Sequence, residues 1–171
     1  MFVIVACGSR TELDGTAQDA ASFDASADVA CTPRDFTLHV SATSPWTDTG
    51  IDVAAGAELV IHATGTVSYG EQSNQVCDAD GVNYDGQKYF STAVVPSAIV
   101  LALIGKIGGS VAFDTGTPLP EGTPGDGAGF VGISYDQIVP DTGRLFLGFN
   151  DQRQAFYDNA GAFTVTIHVG C

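Results

Sequence analysis

The stretch Ala162-Phe-Thr-Val-Thr-Ile-His-Val169 alternates apolar and polar side chains along its whole length. A period of two is typical of a β-strand that buries one face and exposes the other. We therefore expect a half-buried strand here, with Phe163, Val165, Ile167 and Val169 facing inward and the residues between them facing outward.

A second strong strand is predicted at residues 144–149, just before a loop that leads into the strand at 162–169. Shorter alternating or apolar runs, separated by Gly, Pro and Asp turn signals, predict further strands at residues 36–41, 51–53, 58–66, 99–107, 110–113 and 129–134. No amphipathic helix pattern lies between them. About eight strands without helices predict an all-β fold, an antiparallel sandwich or barrel.

The composition also favours strands and turns over helices. Of the 171 residues, 44% are hydrophobic, 15% are charged and 21 are glycine. Lysine, arginine and glutamate, which commonly cover exposed helices, are scarce, whereas valine and threonine are frequent. The length predicts a single domain with one core, at residues 31–171.

The chain is strongly acidic. Its formal charge is −14, from 20 acidic and 6 basic residues. Phosphate binding needs a basic face, so nucleic acid is excluded as the expected partner. An acidic surface suits either a cation ligand or plain solubility.

Residues 1–7 are similar to a truncated lipoprotein-type signal. Ile4-Val-Ala-Cys7 resembles a bacterial lipobox, which implies cleavage before Cys7 and lipidation of its thiol. The apolar part, residues 1–6, is shorter than the roughly 7–15 residues of a secretory core, so an accidental match is the alternative. Residues 8–30, rich in Asp, Ser and Ala, predict a disordered tether. We expect a secreted or lipid-anchored protein on the outer cell surface.

The four cysteines do not form a metal-binding pattern. No C-x-x-C pair occurs among Cys7, Cys31, Cys77 and Cys171, which argues against a structural zinc site. A bridge between Cys31 and Cys171 would join the two ends of the domain and fits an oxidising compartment. Cys77 could instead pair with either of them.

The loop at residues 150–161 is rich in oxygen donors. Asp151 follows the strand at 144–149, and Asp158 and Asn159 precede the last strand, so their side chains can converge on one point. Carboxylate, amide and main-chain oxygens are the ligands that Ca²⁺ prefers. The alternative is a solvated turn rich in Asp and Asn.

Four stretches of the chain resemble the PA-IL-like, calcium-dependent, galactose-binding bacterial lectins. The most specific is the last, in which Gly143-Arg-Leu-Phe-Leu-Gly-Phe-Asn-Asp151 leads to Asp158-Asn-Ala-Gly-Ala-Phe-Thr-Val-Thr-Ile167. The others are Trp46-Thr-Asp-Thr-Gly-Ile51 with Val53-Ala-Ala-Gly56, Ala63-Thr-Gly-Thr-Val-Ser-Tyr-Gly70, and Leu103-Ile-Gly-Lys-Ile-Gly108. The resemblance implies a galactose-binding-like β-sandwich of the jelly-roll type and a non-enzymatic lectin.

The resemblance also implies a ligand set for calcium. Tyr69 and Ala155 would give main-chain carbonyls, whereas Asp151, Asp158 and Asn159 would give side-chain oxygens. Calcium would then bridge the protein and two neighbouring sugar hydroxyls. The sugar would be galactose or a related one, bound by Tyr69, Asp151, Gln152, Asp158, Asn159, Asp85 and Gln87.

The sequence departs from the family pattern at three places. Ala155 replaces a threonine, which removes a side-chain contact to sugar, and Asp158 replaces an asparagine, which adds negative charge. The loop at residues 71–89 is longer and lacks the family's histidine. Gln87, Asp85, or the neighbouring Asn83 and Tyr84 are the candidate replacements, so the resemblance bears more directly on calcium than on galactose.

Other functional patterns are weaker. The acidic loop at residues 77–86 lacks the glycine and glutamate spacing of an EF-hand, and no G-x-S-x-G elbow is present. We expect Trp46 to be a core residue, and the histidines at 39, 62 and 168 to be surface or hydrogen-bonded residues rather than a metal triad. The main alternative function is a calcium-stabilised structural or adhesion module that binds a protein. A glycosidase, with Asp151 and Asp158 as its carboxylates, is the third class.

Overall fold

The structure is a computed structural model that describes residues 32–82 and 86–171. In this part of the chain, one three-residue 3-10 turn at Phe156–Asp158 is the only helical element. The predicted all-β sandwich is confirmed, because two four-stranded antiparallel sheets and one small three-stranded sheet make up the fold.

The eleven strands of the described residues follow one another in chain order. They are β1 (Arg34–Ser41), β2 (Thr47–Val53), β3 (Glu58–Thr64), β4 (Val67–Tyr69), β5 (Val76–Cys77), β6 (Leu103–Ile107), β7 (Thr117–Pro118), β8 (Ser134–Ile138), β9 (Gly143–Phe149), β10 (Asn159–Ala160) and β11 (Ala162–Val169). One large sheet has the order β1-β11-β3-β8 and the other β2-β9-β6-β7, while the small sheet has the order β10-β4-β5.

The core lies between the inward faces of the two large sheets. The strand predicted at 162–169 is confirmed as β11, and its alternate residues from Phe163 to Val169 are buried as expected. The rings of Phe149 on β9 and Phe163 on β11 are 6.1 Å apart at 56°, which brings side chains of both sheets into contact. Full burial of one such side chain stabilises the fold by about 1.5–3 kcal/mol.

Several predicted strands have different bounds. Of residues 99–107 only Leu103–Ile107 forms a strand, because Leu101 has a left-handed φ of 62° and residues 99–102 turn toward β9. The strand predicted at 110–113 is wrong, since Ser110 donates its backbone N–H to the Thr115 hydroxyl and closes a turn. The strand predicted at 129–134 begins only at Ser134, after two glycines with positive φ.

Four predictions concern residues outside the described ranges. These are the lipobox at residues 1–7 with Cys7, the tether at 8–30, the boundary cysteine Cys31, and the loop residues 83–85 that include Asp85. Of the remaining cysteines, Cys171 is disulfide-bonded and Cys77 is a free, buried thiol, so Cys77 is not the partner of Cys171. Among the described residues, no helix has the length and apolarity that crossing a membrane requires.

Candidate metal centre

The predicted site lies in the connection between β9 and β11. After β9 ends at Phe149, the chain passes through the 3-10 turn and then forms the short strand β10. β10 pairs with β4 in an antiparallel register that places Asn159 opposite Tyr69. The sheet therefore brings Tyr69 to the loop that carries the other predicted ligands.

A pocket of about 130 Å³ opens between this loop and its neighbours. Tyr69, Asp151, Ala155 and Asp158, four of the predicted ligands, line it together with Gln75, Phe90, Val100, Leu101 and Gln152. The fifth predicted ligand, Asn159, is joined to the pocket through its hydrogen bond with Asp151. The structure thus gathers the predicted set at one place.

Asp151 is held at the bottom of this arrangement. Its side chain Oδ2 accepts a hydrogen bond from Nδ2 of Asn159 at 2.8 Å, and Oδ1 accepts one from the backbone N–H of Gln152 at 2.6 Å. Burial raises the pKa of Asp151, the two hydrogen bonds lower it, and the nearby charge of Asp158 raises it further. A buried carboxylate beside a second carboxylate is a group that a cation would stabilise.

Two oxygens of the site have no hydrogen-bond partner among the described residues. They are Oδ1 of Asp158 and Oδ1 of Asn159, and both atoms are buried. The amide of Asn159 cannot be turned around to satisfy its oxygen, because its Nδ2 donates both to Asp151 and to the carbonyl of Ala42 at 3.1 Å. Each unsatisfied buried polar atom costs about 1–3 kcal/mol. A hard cation that accepts oxygen ligands would remove this cost.

The chemistry of the donors separates calcium from zinc. The described residues contain no group of three His, Cys, Asp or Glu side chains placed to hold a metal. Two carboxylate residues, Asp151 and Asp158, line the pocket, and the amide of Asn159 is hydrogen-bonded to the first of them. Calcium accepts mixed oxygen sets of this kind, whereas structural zinc prefers Cys and His. The residues therefore fit calcium and do not fit a structural zinc ion.

Asn150, which the sequence analysis did not single out, fixes the back of the pocket. Its side-chain Oδ1 accepts from the backbone N–H of Val95 at 2.8 Å, and its Nδ2 donates to the carbonyls of Val95, Ala98 and Ile99 at 2.9–3.1 Å. Its own carbonyl accepts from the N–H of Leu101 at 2.9 Å. One fully buried amide thus ties residues 95–101 to the start of the site loop.

The pocket also contains contributions from the long loop at residues 71–89. Gln75 lies over Gly70, where a Cβ atom would clash with the glutamine side-chain oxygen and would push that side chain away from its present position. Gln75 also accepts the N–H of Tyr69 on its backbone oxygen at 2.9 Å. The turn into β5 therefore places an amide on the wall of the pocket.

The candidate sugar contacts in that loop have separate outcomes. Gln87 is exposed and is not among the residues that line the pocket, so the structure does not bring it to the site. Asp85 lies outside the described ranges. Gln152 lines the pocket, and its contact with sugar stays a prediction. Gln75 and Phe90 were missed because no short motif connects them to the loop at 150–161.

The other residues that the sequence analysis singled out do not line this pocket. Trp46 is only 5% exposed and belongs to the core, as predicted. His39 and His62 are exposed, and His168 contacts Asp35 at 2.7 Å on the outer face of a large sheet. Within the acidic loop at 77–86, the carboxylate of Asp80 accepts the N–H of Ile133 at 2.7 Å and so fixes a turn.

Comparison with known proteins supports the fold. No family model matches the chain, and no curated protein matches it. A solved structure described as the EclA N-terminal domain, a PllA-like lectin, matches with a TM-score of 0.55 and 23% sequence identity. The match covers 78% of this chain and 95% of that domain. The chain therefore has the β-sandwich fold of that lectin domain.

Proposed function

We propose that this chain is a non-enzymatic carbohydrate-binding protein that holds calcium in the pocket at Tyr69, Asp151, Ala155, Asp158 and Asn159. The ligand is galactose or a related neutral sugar, bound at the metal. This proposal combines the geometry of the pocket with the resemblance of the sequence to calcium-dependent galactose-binding lectins, and the solved structure of similar fold is itself described as a lectin domain.

The observation that carries the proposal is the pair of unpartnered buried oxygens. Asp158 and Asn159 each direct one into the interior without a hydrogen bond from the described residues, close to the carboxylate of Asp151. Native proteins leave few buried polar atoms unsatisfied. The two unpartnered oxygens and the carboxylate of Asp151 are therefore acceptors that a bound positive ion would satisfy.

The chain's own residues set the charge and rigidity of the site. Two carboxylates, Asp151 and Asp158, match a divalent cation, and the hydrogen bond from Asn159 fixes the orientation of Asp151. When bound, calcium would supply the neutralising charge and open coordination positions for two neighbouring sugar hydroxyls. The carboxylate oxygens not used by the metal can accept hydrogen bonds from the same hydroxyls.

The remaining wall of the pocket suits one face of a sugar ring. Phe90, which is partly buried, offers apolar surface, while Gln75 and Gln152 offer amide donors and acceptors. Ala155 adds no polar side chain. Small-molecule pockets commonly combine an apolar lining with a few fixed polar groups.

The absence of enzymatic activity is part of the proposal. Asp151 and Asp158 belong to one centre and share it with an amide, so a bound cation would prevent either from exchanging a proton freely. A chromogenic galactoside incubated with the protein in calcium should therefore release no chromophore above the buffer rate.

Titration calorimetry tests the function directly. Methyl galactoside should release or absorb heat on binding in excess calcium and give no signal in excess chelator. Asp158→Ala, which removes the unpartnered oxygen, should abolish binding, whereas Asp158→Asn, which keeps an oxygen there, should retain it. Binding that is equal in calcium and chelator would exclude the metal-bridged mode, and a glycan array without any hit would favour the protein-binding module.

We also propose an extracellular location, with lipid attachment at Cys7 and a tether at residues 8–30. The disulfide at Cys171 supports an oxidising compartment, because such bonds persist outside the reducing cytosol. Metabolic labelling with a palmitate analogue should mark the protein, and Cys7→Ser should remove the label.

A further inference from the structure

A second depression adjoins the calcium pocket. It has a volume of about 460 Å³ and is lined by Ser91, Thr92, Gln152, Arg153 and Gln154. Gln152 lines both cavities, so the two are contiguous around its side chain. We call the second one the polar cleft.

The polar cleft is lined by neutral hydrogen-bonding groups in a protein that is otherwise strongly acidic. Its lining carries hydroxyls, amides and one guanidinium, and no carboxylate. The charge of Arg153 is already matched, because its guanidinium forms a two-point ion pair with Asp114, with Nη1 at 2.6 Å from Oδ2. The same guanidinium lies 5.2 Å from the ring centre of Phe113, which fixes it from a second side.

Backbone contacts hold the two walls of the polar cleft together. The N–H of Arg153 donates to the carbonyl of Thr92 at 3.2 Å, and Ala93 and Gln152 form an antiparallel bridge. The hydroxyl of Thr92 also donates to Oε1 of Gln152 at 3.3 Å. Since these groups are ordered before any ligand arrives, a ligand would bind there with little further loss of conformational entropy.

We propose that the polar cleft binds the second residue of a neutral oligosaccharide whose terminal sugar occupies the calcium pocket. The inference rests on the proposed function, because the first sugar must be held at the metal. A sugar ring presents hydroxyls that both donate and accept, and the cleft offers amides and hydroxyls with the same capacity. Its neutral lining and the acidic surroundings select against anionic glycans.

The experiment compares matched sugars on the full chain in excess calcium. Titration calorimetry is carried out with methyl galactoside and with a set of galactose-terminated disaccharides of different linkage. At least one disaccharide should bind about fivefold to tenfold more tightly than methyl galactoside, which corresponds to one or two added hydrogen bonds. The double variant Ser91→Ala/Gln154→Ala should lose that gain and keep the affinity for methyl galactoside.

A matched control is Gln137→Ala, which removes a glutamine side chain from β8 in the other large sheet and should leave both affinities unchanged. If no disaccharide exceeds methyl galactoside, or if the double variant keeps the full gain, the assignment of the polar cleft is wrong while the metal site stands. If methyl galactoside itself fails to bind in calcium, the proposed function fails and the cleft assignment fails with it.

Discussion

Asn159 donates its side-chain amide to Oδ2 of Asp151 at 2.8 Å, and this contact determines where the oxygen of the same amide points. The other amide hydrogen is directed to Ala42, so Oδ1 of Asn159 is left buried without a donor among the described residues. Because two buried acceptors of the site, on Asp158 and Asn159, have no donor among the described residues, we expect the protein to respond to added cations.

Calcium should raise the thermal stability of the protein. A ligand that binds only the folded state stabilises it by about 2.7 kcal/mol at one hundred times its dissociation constant, which is roughly 5–10 °C in Tm for a domain of this size. Differential scanning calorimetry in excess calcium and in excess chelator measures this shift. An identical midpoint in the two buffers would count against the metal site.

Asp151→Asn should separate the cost of the buried charge from the benefit of the metal. The asparagine removes the charge whose pKa burial raises, but its amide nitrogen cannot accept one of the two hydrogen bonds that Asp151 receives from Asn159 and Gln152, so in chelator the gain and the loss should offset and the stability should change by less than about 2 kcal/mol. Its response to calcium should be lost, because Asp151 is the buried carboxylate of the site and the single oxygen of an asparagine there would already be engaged by a hydrogen-bond donor, unlike the unpartnered oxygen that Asp158→Asn keeps. Asp136→Asn, an exposed change on β8, is the control and should keep the full calcium response.

Asn150→Leu should destabilise the fold and weaken the site together. The change leaves the N–H and carbonyl of Val95 and the carbonyls of Ala98 and Ile99 without their present partner. At about 1–3 kcal/mol for each unsatisfied group, the loss should exceed about 3 kcal/mol in urea unfolding. Asn74→Leu, at an exposed position, should cost little. A loss below about 1 kcal/mol for Asn150→Leu, as expected of an ordinary surface change, would contradict this structural role of Asn150.

Lys106 should give the stability a dependence on alkaline pH. Its side chain is 2% exposed, its Nζ lies 4.3 Å from the ring centre of Trp46, and burial lowers its pKa from 10.5 to about 8. Below pH 8 both folded and unfolded states carry the proton, and the folded state bears the cost of the buried charge. As pH rises from 8 to 10.5 the folded state releases the proton first, so stability is gained, by up to about 3 kcal/mol.

The variant Lys106→Met isolates this effect, because methionine does not titrate. The difference in unfolding free energy between the wild type and the variant should move in favour of the wild type across pH 8 to 10.5. Other groups that ionise at alkaline pH, such as Cys77 and Tyr135, are common to both proteins and cancel in the difference. A difference that stays constant over this interval would contradict the assignment.

Local patterns predicted the strand β11 and the clustering of the loop residues, whereas their role as metal ligands stays a prediction. The period of two in β11 and the order of Asp151, Asp158 and Asn159 along the loop are properties of neighbouring residues, so one sequence contains them. The burial of β11 side chains and the gathering of the loop residues at one pocket agree with those predictions.

Other features depend on contacts between distant segments. Asn150 forms hydrogen bonds with residues that precede it by 51 to 55 positions, and no motif in either segment indicates the pairing. Gln75 enters the pocket from the long loop at residues 71–89, whose sequence differs from the family pattern, and Phe90 enters it from the position just after that loop. The strand predicted at 99–107 was too long. The apolar run is buried, but residues 99–102 form a turn and only Leu103–Ile107 form a strand, and burial alone does not distinguish the two.

The pairing of Asn159 with Tyr69 has a consequence for biosynthesis. The residues proposed to hold the ion lie in two segments, Tyr69 and residues 151–159, which are more than 80 positions apart in the sequence, and the acidic segment leaves the ribosome after Tyr69. Closing so large a loop is entropically slow, so the cation cannot act as an early folding template. The ion would instead bind after these two segments have come together. Binding of the ion by the protein would then report that the domain has reached its native topology.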